Sequence, residues 1–368
     1  MPRFLTRGAA VALILAAAAA TQFGTSTPAS AQTAAVTVPV GSGEAGYAVN
    51  LFGAQKVTVA KGSTVSFKNP WFEPHTITFP GDTKLPPPSD PKAPVPTNPG
   101  QTVAYDGKAY LNSGFVLKDK TFEVSFPGNG TYPFFCIIHP GMQGSVEVVD
   151  AGNAAINTQA QVDAASKKTF DDAMVALKAA NTTAASKAVE RTTNADGTST
   201  WTVVVGGMVG PSDLQQFYAS KLDIRVGDTV VWKSAVATPH TATFLGGTAL
   251  PVPPIPENPK VMQAAPAPAG YTGTGYLNSG IIGVNWPAQQ FSQKFTTAGS
   301  FPYICVLHVD QGMGGVVNVA AAATPAPAKT GAAGLQGTSA ASLALQGAFV
   351  VVALALVAGA RRAAVRAD

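Results

Sequence analysis

Histidine and cysteine are rare in this chain, and they fall into two similar groups. The 368 residues include only four histidines and two cysteines. In each group one histidine is followed, further along the chain, by a cysteine, a second histidine and a methionine close together. The first group is His75, Cys136, His139 and Met142, and the second is His240, Cys305, His308 and Met313.

Side chains of these types could bind one metal ion in each group. Two imidazoles and one thiolate, with a thioether as a weak axial ligand, form the ligand set of a type 1 (blue) copper site. Sulfur ligands favour Cu(I) and imidazole suits Cu(II), so one site can hold both oxidation states. We therefore predict two type 1 copper sites that transfer single electrons.

The same residues allow other interpretations. In an oxidising compartment Cys136 and Cys305 could form a disulfide, although this would discard both sites. A zinc ion could take the same ligands, but methionine is an improbable zinc ligand. Met142 and Met313 could pack in a core instead of binding metal. The protein could also sequester copper at the cell surface without carrying electrons, since that function needs the same ligands.

A copper enzyme is harder to reconcile with the number of histidines. Multicopper oxidases and copper nitrite reductases need further histidines for type 2 or trinuclear copper. The two predicted sites already use every histidine in the chain. A binuclear copper centre needs two cysteines in one loop, whereas each group has one. We therefore predict an electron carrier rather than an enzyme.

The sequence around the two groups is an internal repeat, which indicates a duplicated domain. Three strings recur in the same order in both halves of the chain. They are Pro74–Phe79 and Pro239–Phe244, Tyr110–Gly114 and Tyr276–Gly280, and Gly130–Cys136 and Gly299–Cys305. Duplication explains why the two ligand sets match.

Short strands are expected within each copy. Thr121–Phe126 alternates polar and apolar residues, as a half-buried strand does. Thr64–Asn69 and Asp228–Lys233 are rich in β-formers and follow turn sequences. Together they predict an antiparallel sandwich or Greek-key barrel. Two proline-rich loops, Pro80–Gly100 and Pro251–Gly270, are expected to cover the surface as extended coil or to dock a partner.

A helix is expected between the copies. Over Thr158–Asn181 the composition changes to Ala, Gln, Lys and Asp. Phe170, Met174 and Leu177 fall at helical spacing, which predicts a surface helix of about three to five turns. We interpret Met174 as a packing residue rather than a metal ligand.

Both copies resemble the plastocyanin/amicyanin branch of the cupredoxins. The resemblance rests on the ligand groups and on the strand of the form G-x-Y/F-P-x-x-C before each ligand loop. The loop Cys136–Met142 resembles the short amicyanin type, and Cys305–Met313 has the spacing of plastocyanin or pseudoazurin. The resemblance implies an all-β fold of two Greek-key β-sandwich domains, joined here by a helical linker, with one copper in each domain.

The resemblance also implies how electrons would enter and leave. In cupredoxins the imidazole edge of the second histidine is exposed to redox partner proteins, which here would be His139 and His308. Serial relay between the two coppers and two independent carriers are both compatible with this. Many relatives have Asn directly after the first histidine, whereas this chain has Thr76 and Thr241. We therefore expect the hydrogen bonds around the cysteine to differ.

The N-terminal residues are typical of a secretory signal peptide. Arg3 and Arg7 precede the apolar run Ala9–Ala20, and Ala29–Ala31 provides the small residues of a cleavage site. An uncleaved anchor helix is the alternative interpretation. Export would place both domains on the extracytoplasmic side of the cytoplasmic membrane.

The C-terminal residues are typical of a membrane anchor. The apolar run Ala341–Ala360 is just long enough to cross a bilayer, and a buried core helix is the alternative. Arg361, Arg362 and Arg366 follow at once, which orients the tail towards the cytoplasm. We therefore expect membrane-associated redox partners. Because the basic excess lies at the two ends, the middle of the chain is neutral and has no basic surface for nucleic acid.

These observations divide the chain into seven predicted segments. In order they are a signal peptide (1–31), cupredoxin domain 1 (32–150), a linker with a helix (151–199), cupredoxin domain 2 (200–320), a flexible stalk (321–340), one transmembrane helix (341–360) and a cytoplasmic tail (361–368).

Overall fold

The computed structural model describes residues 35–85, 102–187, 189–250 and 263–321. The predicted signal peptide, transmembrane helix and tail lie outside these ranges, as do the stalk beyond residue 321 and much of both proline-rich loops. Within the described ranges, no helix is both long enough and apolar enough to cross a membrane. The described residues form a mostly β structure with one helix.

Ten strands and the helix make up the first part of the described chain. They are β1 (Val36–Glu44), β2 (Tyr47–Phe52), β3 (Lys56–Ala60), β4 (Thr64–Lys68), β5 (Thr78–Phe79), β6 (Val103–Ala104), β7 (Leu111–Asn112), β8 (Thr121–Ser125), β9 (Gly130–Phe135), β10 (Gln143–Val149) and α1 (Gln159–Ala185). We call residues 35–150 the first half.

The second half, residues 189–321, repeats this order of strands. They are β11 (Glu190–Thr193), β12 (Ser199–Val209), β13 (Ser212–Tyr218), β14 (Lys221–Arg225), β15 (Thr229–Ser234), β16 (Thr243–Phe244), β17 (Ala264–Ala265), β18 (Leu277–Ser279), β19 (Gln290–Lys294), β20 (Gly299–Ile304) and β21 (Gly314–Ala320). The predicted strands at Thr64, Thr121 and Asp228 are confirmed as β4, β8 and β15.

Each half is a sandwich of two sheets, and one sheet is shared between the halves. The shared sheet has the order β19-β15-β12-β13-β2-β1-β4-β8-β6, and β11 pairs with β12. The other sheet of the first half is β3-β10-β9-β5-β7, and that of the second half is β14-β21-β20-β16-β18-β17. Because β11 belongs to the shared sheet, the predicted linker also contributes a strand.

The prediction of an antiparallel sandwich is wrong for five strand pairs, which are parallel. In the first half these are β1–β4, β3–β10 and the short pair β6–β8, and the second half repeats the first two as β12–β15 and β14–β21. Parallel neighbours need a crossover connection. The chain makes one between β1 and β4 by passing through β3 in the opposite sheet.

The two halves meet where β2 pairs with β13 in antiparallel fashion. Asp213 lies opposite Ala48, and Leu214 lies opposite Tyr47. Counted from the first histidine of each repeat, Ala48 and Asp213 occupy equivalent positions. The contact therefore joins the same strand of each repeat across an approximate two-fold axis.

Helix α1 covers this junction. A capping box begins it, in which Thr158 and Gln161 bond to each other's backbone N–H groups. Leu177 is fully buried against Val49 of the first half and Leu214 of the second. The predicted helix is confirmed, and Phe170 and Met174 pack against the same cluster.

The helix is longer than predicted because its C-terminal end is held to both halves. The side-chain amide of Asn181 donates to the hydroxyl of Tyr47 at 2.8 Å and accepts from the hydroxyl of Tyr218 at 2.7 Å. These bonds fix Asn181 inside the helix, which continues to Ala185. A segment predicted as a surface linker therefore packs on both domains.

Aromatic cores lie between the sheets and support the metal-binding loops. In the first half Phe134 packs edge-on against Phe52 and Phe67, with ring centroids 4.6 and 4.9 Å apart. In the second half Trp232 packs against Tyr303 at 5.3 Å. Phe134 and Tyr303 each lie two residues before the cysteine of their repeat. The cores therefore fix the strands that lead into both cysteines.

Candidate metal centres

The structure brings His75, Cys136 and His139 together at one end of the first sandwich. His75 lies just before β5, and Cys136 directly follows β9. The Cys136 Sγ atom is 3.4 Å from His139 Nδ1 and 4.0 Å from His75 Nδ1. The two Nδ1 atoms are 3.2 Å apart. All three side chains are buried, so the three donor atoms face a common point inside the protein.

The second half repeats this geometry with His240, Cys305 and His308. The Cys305 Sγ atom is 3.3 Å from His308 Nδ1 and 4.0 Å from His240 Nδ1. The two Nδ1 atoms are again 3.2 Å apart. The different lengths of the two ligand loops therefore leave the placement of these donors unchanged.

Both methionines are buried at the end of their ligand loops. The backbone N–H of Cys136 donates to the carbonyl of Met142 at 2.9 Å, and that of Cys305 donates to the carbonyl of Met313 at 3.0 Å. Each bond closes its loop and places the methionine beside the cysteine. That the two thioethers act as axial ligands stays a prediction.

The two cysteines are free thiols in separate sites, so the alternative of a Cys136–Cys305 disulfide does not hold in this structure. Burial alone would raise the pKa of the Cys136 thiol, but the charge and hydrogen bonds of His139 and the contact with His75 bring that pKa well below its usual value. The same balance lowers the pKa of Cys305. Both cysteines are therefore prepared to bind metal as thiolates.

Threonine replaces the expected asparagine and still connects the two ligand segments. The backbone N–H of Thr76 donates to Cys136 Sγ at 3.3 Å, and its hydroxyl accepts from the N–H of Ile137 at 3.0 Å. Thr241 makes the same two bonds, to Cys305 Sγ at 3.3 Å and from Val306 at 2.9 Å. The two threonines therefore join the segment of the first histidine to the cysteine segment in the same way in both repeats.

Two glycines allow the first histidine of each site to fit, and sequence analysis missed them. Gly41 lies at a bulge in β1 with φ +75°, and Gly206 lies at the equivalent bulge in β12 with φ +70°. A Cβ atom at either position would overlap Nε2 of His75 or His240. The sequence did contain a sign of them, because a Val-Gly pair occurs at the same position of both repeats.

The predicted exposure of His139 and His308 is wrong for this chain. Their side chains are only 6% and 3% exposed, because the two halves meet over them. Glu73 lies between them and is itself 5% exposed. Its Oε1 atom is 3.4 Å from His139 Nε2, and its Oε2 atom is 3.6 Å from His308 Nε2.

Glu73 was not identified from the sequence. Burial alone would raise its pKa, but the imidazoles of His308 and His139 lower that pKa to about 2, so the side chain is a carboxylate. The available signal was its position two residues before His75, where the second repeat has Thr238.

The donors present fit a type 1 copper ion. In each group one thiolate and two imidazole nitrogens lie within 4.8 Å of one another and are shielded from water. This set of soft and borderline donors, with a methionine beside it, is the set that such copper prefers. His75, Cys136 and His139 would hold one ion, and His240, Cys305 and His308 would hold another.

Comparisons with known proteins agree with this chemistry. The family described as copper binding proteins, plastocyanin/azurin family, matches residues 204–320. A plastocyanin from Scenedesmus fuscus is 30% identical over 103 residues, which cover 28% of this chain and 85% of that protein.

Solved structures of amicyanin are also similar. A reduced Cu(I) form of a proline-to-glycine variant at pH 4 is 22% identical, with a TM-score of 0.22, and covers 31% of this chain and 82% of that chain. A reduced tryptophan-to-tyrosine variant is 23% identical, with the same coverage and TM-score. With the plastocyanin match over most of that protein's length and the donor sets described above, this chain belongs to the plastocyanin/azurin family of copper-binding proteins.

Proposed function

We propose that this protein is an electron carrier with two type 1 copper sites. The observation that carries the proposal is the pair of buried thiolate–imidazole–imidazole groups with the same geometry. Copper bound there would supply one-electron chemistry by cycling between Cu(I) and Cu(II).

The protein's own contribution is to hold the donors still. Neighbouring imidazoles lower the pKa values of Cys136 and Cys305, which favours the thiolates that would bind copper. The loop-closing bonds to Met142 and Met313 and the close fit of the first histidines against glycine restrict movement further. Little rearrangement between oxidation states favours rapid electron transfer.

We also propose that the carrier is exported and tethered to the cytoplasmic membrane. The support comes from the sequence: the signal-like residues 1–31, the apolar run 341–360 and the arginines that follow it. A tether would raise the effective concentration of the domains near membrane-associated redox partners.

Copper stoichiometry and the visible spectrum of the purified chain test the function. We expect two coppers per chain and an intense blue band that bleaches on reduction. Cys136→Ala and Cys305→Ala should each remove one copper and one site's share of the band. Bound copper without a blue band would overturn the carrier function and favour sequestration.

A further inference from the structure

The two candidate sites face each other across the interface between the halves. His139 and His308 are the second histidines of their repeats, and each turns Nδ1 towards its own cysteine and Nε2 towards Glu73. One carboxylate group therefore lies between imidazoles that belong to different sites.

Glu73 is held firmly in this position. Its Oε2 atom accepts hydrogen bonds from the side-chain amides of Gln215 at 2.7 Å and Gln311 at 3.3 Å, both from the second half. Asn69 donates to the Glu73 backbone carbonyl at 2.6 Å from within the first half. A buried carboxylate is costly unless it is paired and hydrogen-bonded, and here every partner of its oxygens is buried with it.

The longer ligand loop of the second site helps to build this arrangement. Four residues separate His308 from Met313, two more than separate His139 from Met142, and Gln311 is one of these four. Its backbone carbonyl accepts from the N–H of Gly46 at 2.9 Å, which docks the loop on the first half. The longer loop of the second repeat therefore provides contacts with the first half.

We propose that Glu73 joins the two candidate copper sites into one redox unit, in which an electron passes between the sites along the path His139–Glu73–His308. The inference rests on the proposed function. Glu73 acts as a positioning residue: its Oε1 atom accepts from Nε2–H of His139, its Oε2 atom lies 3.6 Å from Nε2 of His308, and each Nδ1 is left directed at its metal site. Histidine ligands commonly donate their other N–H to a carboxylate, and losing that partner weakens the site.

The transfer step is balanced within the protein. One electron leaves a site in the Cu(I) state, which becomes Cu(II), and reaches the other site, which goes from Cu(II) to Cu(I). The step moves no proton, because Glu73 contacts both imidazoles as a carboxylate. Because both imidazole edges are buried between the halves, electrons exchanged with a partner protein would have to enter at another surface.

We call the contact of Glu73 with both imidazoles the bridge. A variant that keeps only the second site tests whether Glu73 acts on that site. Cys136→Ala removes the first site, and Glu73→Gln is then added in that background. We expect the copper affinity of the second site to fall by about 10–100-fold although Glu73 belongs to the first half. Glu123→Gln, an exposed residue of the same half, is the matched control and should leave that affinity unchanged. An unchanged affinity in the Glu73 variant would overturn the bridge.

The electron path has its own readout in the full protein with both coppers bound. After partial reduction by a radiolytic pulse, electron exchange between the sites should be about tenfold slower or more in Glu73→Gln than in the wild type. The reduction potentials of both sites should shift as well. A change confined to the first site would show that Glu73 does not join the two.

A measurement on the unchanged protein covers the case in which Glu73→Gln does not fold. In the reduced protein labelled with ¹⁵N-histidine, the Nε2–H protons of His139 and His308 should both exchange slowly with water. Rapid exchange of either proton would contradict the bridge. If the wild type shows no blue band, the proposed function itself fails, whereas a blue protein with these contrary results loses only the bridge.

Discussion

The two halves hold their metal-site donors in the same way but differ at the surface that joins them. The first half provides Glu73, and the second half has Thr238 in its place and Asp213 opposite Ala48. Asp213 has other hydrogen-bond partners than the imidazoles: it accepts from Asn50 at 2.7 Å and from Thr238. Burial raises the pKa of Asp213.

The difference between Glu73 and Thr238 shows why two equivalent surfaces that meet cannot carry the same acidic residue. On an approximate two-fold axis, identical repeats would place two glutamates against each other, and each would raise the pKa of the other. One carboxylate between two imidazoles avoids that repulsion. The donor sets are the same in both repeats, whereas the residues at the contact between the halves differ.

The largest expected effect is a loss of copper affinity at one site while the other site is kept. Gly41→Ala should displace His75 and lower the copper affinity of the first site by about 100-fold, and Gly206→Ala should do the same to the second site through His240. Each variant should keep one blue site. Copper content and the intensity of the blue band measure the outcome.

The control for this pair is Gly152→Ala. Gly152 has a similar φ of +85°, but a Cβ atom there would meet nothing within 4 Å. Its cost should be the backbone strain alone, about 1–2 kcal/mol, with both coppers retained. If Gly41→Ala also retains both, the close fit of glycine and imidazole does not shape the site.

The next effect tests whether the halves behave as one cooperative unit. Leu177→Ala leaves a cavity between Val49 and Leu214 and should lower the free energy of unfolding by about 2–5 kcal/mol. Urea unfolding followed by fluorescence should still show one transition. Val175→Ala, on the exposed face of the same helix, should change stability by less than about 0.5 kcal/mol. Two separate transitions would show that the halves unfold independently.

The smallest effect compares the threonines beside the cysteines. Thr76→Val and Thr241→Val each leave a buried backbone N–H without its acceptor, and each should cost about 1–3 kcal/mol. Both hydroxyls bond to the threonine two residues later, at 3.2 Å in the first half and 2.9 Å in the second. The Thr76 hydroxyl also contacts Cys136 Sγ at 3.8 Å. Thr76→Val should therefore shift its site's blue band more, as absorption spectra of the single-site cysteine variants would show.

The candidate donors could be predicted from the sequence, and their surroundings could not. Residue types and order identify the His75–Cys136–His139 group, because few side chains bind soft metals and this chain has few of them. The pairing of β2 with β13 depends on contacts between distant segments, which local patterns do not encode. Glu73 is an ordinary charged residue until the second half covers it.

The resemblance to single-domain carriers also explains the wrong prediction. In such a protein nothing of the same chain lies over the second histidine, so its edge is expected to face solvent. Here residues of both halves cover His139 and His308. In a chain with a repeated domain, one repeat can therefore bury residues of the other that are exposed in single-domain relatives.

The pairing of β2 with β13 predicts how a single repeat would behave if it were produced without the other. A strand at the margin of a sheet exposes unpaired N–H and C=O groups, which invite aggregation with other chains. Here β2 and β13 pair with each other, so neither is an edge strand. Leu177 covers the apolar residues beside them. A protein reduced to one repeat would expose that open strand together with an apolar patch. Solubility therefore favours keeping the two repeats in one chain, independently of the proposed electron transfer.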